Sequence, residues 1–114
     1  MTGPTENQTY HMILADIAMM AAISTFDRQS VVPVAGDYSP GSIRESWLAR
    51  TGDPALRNRV NAMATAGFAS LQGMPAAQLA AAAQTYGVPL TVCDAERMEQ
   101  HFTNRRQAVL RYRS

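Results

Sequence analysis

The chain has 114 residues, ten basic and nine acidic, with a formal net charge of +1. That length supports a single core without staples, and the near-neutral balance speaks against a domain that must neutralise many phosphates. Its one cysteine excludes an intramolecular disulfide framework and any all-cysteine metal site, while an apolar fraction of 46% excludes wholesale disorder.

In chain order, residues 1–8 are polar, contain Gly3-Pro4, and read as a flexible N-terminal arm. A single helical domain is expected over 9–114. Its first helix, 9–26, carries Tyr10, Ile13, Leu14, Ile17, Met20, Ala21 and Ser24 at helical spacing, with Met12, Met19 and Ile23 on the other faces. A helix apolar nearly all round is central in its bundle or shared with another chain. In so small a domain this favours a homo-oligomer or protein partner, with Ile13, Asp16, Ile17 and Met20 at the contact. Asp16 is expected at a narrow solvent-facing edge, or as an interface carboxylate paired with a C-terminal arginine. His11 reads as a surface residue. No Lys or Arg precedes Arg28, so a secretory signal is not expected. The apolar run Met12–Ile23, broken by Asp16, is short for a bilayer. A soluble, cytoplasmic protein without a membrane partner follows as the expectation.

Residues 27–41 form a long irregular or extended segment, since Val31-Val32-Pro33-Val34 favours extended backbone. Two readings stay open for it: an arm that docks on a neighbour, or a valine-anchored surface loop. Ser42-Ile43-Arg44-Glu45 has the pattern of a capping box for a helix over 42–50, in which Trp47 is the core anchor. Asp53-Pro54 supplies an N-cap and a first-turn proline for a helix over 54–72. That helix carries Leu56, Val60, Met63, Ala64, Gly67, Phe68 and Leu71 on one face. Gly67 predicts a close helix crossing, for which Ala77, Ala80 and Ala81 are small enough.

The alanine-rich stretch up to Tyr86 predicts a helix over 75–86 that Gly87 stops. Residues 88–93 then fit either a short strand or a turn capped by Thr91. With the turn, the spacing of Ala83, Gly87 and Val88 resembles a helix-turn-helix over about twenty residues, from which Leu90 and Glu96 depart. That resemblance implies nucleic-acid contacts from Thr91, Arg97, Arg105 and Arg106. A last helix over 92–112 carries Ala95, Met98, Phe102, Val109 and Tyr112 as its apolar stripe. All ten cations are arginine, and five of them (Arg97, Arg105, Arg106, Arg111 and Arg113) fall in the last 18 residues against Glu99 alone, whereas the first 27 residues hold Glu6, Asp16 and Asp27 and no arginine. Arginine forks suit carboxylates and phosphates, and the gradient points to an anionic partner or end-to-end association.

For catalysis, Cys93 at a helix start is the one candidate, and neighbouring Asp94 opposes its thiolate. Two isolated histidines and one cysteine lack metal-ligand spacing, so no metal or cofactor is expected. The fold class is therefore all-α, a compact bundle of about five helices. The expected function is a non-catalytic helical interaction protein, an assembly, adaptor or regulatory subunit. It acts through the apolar first helix and Arg97, Arg105, Arg106 and Arg111 on the last. The alternative is a helix-turn-helix DNA-binding regulator using residues 76–106.

Overall fold

The computed structural model describes residues 5–34 and 37–113. Five α-helices account for most of them: α1 Glu6–Phe26, α2 Ser42–Arg50, α3 Pro54–Leu71, α4 Ala76–Tyr86 and α5 Val92–Arg113, with a single 3-10 turn at Arg28–Ser30 after α1. No strand occurs among the described residues: residues 88–91 are the connection, and 92–93 already belong to α5. The fold is all-α and compact, with boundaries within three residues of those expected from cap signals and periodicity.

α1 starts earlier than its apolar pattern does. The Gln8 backbone N–H donates to Thr5 Oγ1 at 3.2 Å and the Thr5 N–H donates to Gln8 Oε1 at 2.8 Å. This reciprocal capping box puts Thr5–Gln8 in the cap and first turn rather than in an arm. Residues 1–4 of the expected arm lie outside the described residues.

α1 is the hub. It packs chiefly against α3, and also against α2, the 3-10 turn and α4. Leu14, Ala22, Ile17 and Ile23 are almost completely buried, as are Met19 and Met20. A second subunit is therefore not needed to cover it: three helices and the segment after the 3-10 turn wrap its circumference. Of the two readings of its all-round apolarity, the central position in the bundle accounts for this burial. Gly67 of α3 does lie at a helix crossing, but its partner is Ala18 of α1, 3.6 Å from the position a Cβ would take, not the alanines of α4.

Three helices carry caps in their own sequence: Thr5 for α1; Asp53, whose carboxylate accepts from the Ala55 N–H at 3.0 Å, for α3; and Thr91, which accepts from the Asp94 N–H at 3.1 Å, for α5. The other two are capped from a distance. Glu99 of α5 accepts from the Ala76 N–H at the start of α4, at 2.9 Å.

At α2 the expected Ser42 box does not form. Gly41 is the N-cap, in the left-handed region at φ +90°, and no local side chain caps it. Instead Asp16 accepts from the Gly41 N–H at 2.7 Å and also from the Tyr38 hydroxyl and the Ile43 backbone. At the other end of α2, Arg57 of α3 donates to the carbonyls of Leu48 and Thr51 at 2.8 and 2.6 Å. Nine residues make a marginal helix in isolation. This one is held by an anion at its N-terminus, a cation at its C-terminus and Trp47, fully buried, in its middle.

Candidate interaction surface

The expected site residues divide between the buried core and the exposed part of α5. Ile13, Asp16, Ile17 and Met20 are core residues, each less than a tenth exposed. Asp16 is neither at a solvent edge nor near a C-terminal arginine; its partners are Gly41, Ile43 and Tyr38. Burial pushes its carboxyl above the ordinary range, against the pull of those hydrogen bonds, and Tyr38 is raised in turn by burial and by Asp16. Asp27 at the C-terminus of α1 is likewise occupied, accepting from Trp47 Nε1 at 2.8 Å. Hydrogen bonds from Ser30 and Trp47 hold it below the usual carboxylate range. Of the C-terminal arginines, Arg97 meets an acidic side chain of α1, Glu6, at 3.9 Å, with both side chains about two-thirds exposed. Such a pair contributes little.

The C-terminal part of α5 is built differently. α5 touches the core through Ala95, Met98 and Phe102, and from Asn104 onward every residue described is exposed. The last two turns and more therefore project past the bundle, by roughly 10–15 Å at 1.5 Å per residue. Val109, Leu110 and Tyr112 stand on this projection at 51%, 66% and 95% exposure. With Phe102, Gln72, Arg105 and Arg106, the first two line a groove of about 350 Å³.

The root of the projection is a cluster of rings from three helices. His11 of α1 stacks on Phe68 of α3 at a centroid distance of 5.9 Å and meets His101 and Phe102 of α5 edge-on at 5.5 and 5.1 Å. Arg105 lies 2.7 Å from His11 Nε2. A guanidinium can only donate, so His11 accepts there as a neutral imidazole protonated on Nδ1. Burial first, then Arg105 and His101, hold His11 below the ordinary histidine range; burial and Arg105 do the same to His101. His101 Nε2 is buried with no hydrogen-bond partner. Arg106 donates to the Gln72 carbonyl at 2.7 Å and to Thr103 Oγ1 at 3.3 Å. Among the described residues, neither Arg105 nor Arg106 meets a carboxylate.

His11 was not legible as part of a site: its partner His101 is 90 positions away, and only the packing of α5 on α1 joins them. Thr91 is committed to capping α5, its hydroxyl also donating to Asp94 at 2.8 Å. Cys93 is exposed in the first turn of α5, about 12 Å along the helix axis from His101. No group of three or more His, Cys, Asp or Glu able to hold a metal occurs among the described residues. α1, at 21 residues, has the length and apolarity to cross a membrane, which its twelve-residue apolar run did not suggest; here it is mostly buried within the bundle. No family model, curated protein or solved structure matches the chain.

Proposed function

We propose that this is a non-catalytic helical interaction protein, an adaptor or regulatory subunit, that docks through the projecting end of α5 and not through α1. The observation that carries the reading is the exposure of Val109, Leu110 and Tyr112 on a helix end that leaves the bundle. Apolar side chains clustered on such an element mark contact sites. The segment 27–41 is a brace in this reading: Val31 and Tyr38 pack on the core and Tyr38 holds Asp16, leaving it little freedom to act as a docking arm.

DNA binding through residues 76–106 is supported by the arginines without carboxylate partners. It is opposed by the arrangement of α4 and α5. Glu99 of α5 is committed to the start of α4, where it accepts from the Ala76 N–H, so it caps its neighbour and is not free to meet a nucleic acid. The N-terminal half of α5, which a helix-turn-helix would present to phosphates, also carries Asp94 and the exposed Glu96.

A photo-crosslinking residue at position 110 tests the docking role. Discrete adducts with a second copy or another protein, lost on Val109→Ser with Tyr112→Ser and absent from a crosslinker at Glu45 on α2, are expected. Equal crosslinking from both positions, or none from 110, would overturn it.

A further inference from the structure

The groove at the root of the projection carries information about what fills it. Arg105 and Arg106 flank it, and both are already fixed in place, but by neutral acceptors: an imidazole, a backbone carbonyl and a threonine hydroxyl. A guanidinium has five donor hydrogens, and these contacts use only part of each set. Two oriented cations with no counter-charge among the described residues, beside an apolar lining of Phe102, Val109 and Leu110, form a preorganised site for carboxylate next to apolar surface.

Resting on the docking role of α5, we propose that the occupant is an amphipathic protein segment with acidic side chains beside an aliphatic anchor. The anchor enters the groove against Phe102 and Leu110, and the carboxylates take the remaining donors of Arg105 and Arg106. A phosphate backbone would satisfy the arginines but offers no aliphatic group for Val109 and Leu110. A second copy of this chain fits less well, because its own projecting end brings arginines to arginines.

The test uses the full chain, isotopically labelled for NMR, titrated with a helical peptide of leucine and glutamate. The same peptide with glutamine for glutamate, a random-sequence duplex DNA and anionic phosphatidylglycerol vesicles complete the set. Binding of the glutamate peptide is expected to shift amide signals of Gln72 and of residues 102–110. Arg105→Gln with Arg106→Gln should weaken it at least tenfold, while Arg59→Gln on the exposed side of α3 leaves it unchanged. Because Arg105 also contacts His11, a circular dichroism melt of the double variant establishes that it is folded; the Gln peptide measures the same charge contribution without altering the protein. Equal affinity for the two peptides would overturn the carboxylate inference and leave the docking role of α5 standing. Binding of DNA or vesicles with neither peptide bound would overturn both. No shift at the groove with any probe, or glutamate-peptide binding that maps elsewhere, would overturn the inference alone.

Discussion

The surroundings of α2 and of the end of α5 solve the same problem with opposite results. Around α2 a buried carboxylate, Asp16, meets three donors, and Arg57 and Asp27 occupy the remaining polar groups nearby. At the end of α5, among the described residues, a buried histidine nitrogen has no partner, two arginines have no carboxylate, and three large apolar side chains face water. Buried polar groups are expensive unless satisfied, so the first arrangement fixes one structure. The second leaves interactions to be made. On the proposed reading, the satisfied region holds the fold and the unsatisfied one is left for a partner.

The comparison breaks most sharply at the core both regions share. Ile17→Glu places a charge at a position 1% exposed and should cost several kcal/mol, on the scale of burying an unpaired ion. Loss of the helical circular dichroism signal at 25 °C is expected. A folded variant that only changed its oligomeric state by light scattering would restore α1 as an interface.

Asp16→Ala comes next. It leaves the N–H groups of Gly41 and Ile43 and the Tyr38 hydroxyl without their acceptor, offset in part by relief of the buried charge. A loss of about 2–3 kcal/mol in urea unfolding is expected. A loss below about 0.5 kcal/mol would mean that the region around α2 does not depend on this carboxylate.

Acid should separate the two regions by sign. The histidines bind protons less readily when folded, so their contribution is complete above pH about 6.5 and is lost as pH falls below it, toward their lowered folded values. Asp16 has the opposite sign. Its folded pKa is raised, so stability increases as pH falls through that raised value toward about 3.8. Asp27, held low, opposes it from about 3.8 downward. Urea unfolding between pH 7 and 5 should therefore show a decline that His11→Gln with His101→Gln flattens. An unchanged slope in the double variant would remove the histidines from the account.

The smallest effects are expected from Leu110→Ser and Gly67→Ala. The first side chain lies outside the core, so its loss should change stability by less than about 0.5 kcal/mol. The second adds a Cβ at ordinary contact distance from Ala18 and removes a mid-helix glycine, for a gain of up to about 1 kcal/mol. A melting temperature lowered by several degrees in either variant would show packing that the end of α5, or the α1–α3 crossing, is not expected to have.

The helices themselves were legible because their signals are local. Apolar residues at 3.6-residue spacing, the Asp53-Pro54 start, the Gly87 stop and the Thr91 cap each act within one or two turns, and each holds in the fold. What the chain could not show alone is which partners its charged and small side chains take. Asp16 reads as an awkward charge in an apolar helix until the fold brings Gly41 and Tyr38 to it from more than 20 positions away. Gly67 announces a close crossing and leaves its partner to the packing of α3 on α1. His11 and His101 have no pattern at all in sequence. Local order is written in short-range backbone preferences; which groups end up satisfied, and which remain open at the end of α5, is decided only when distant segments are packed together.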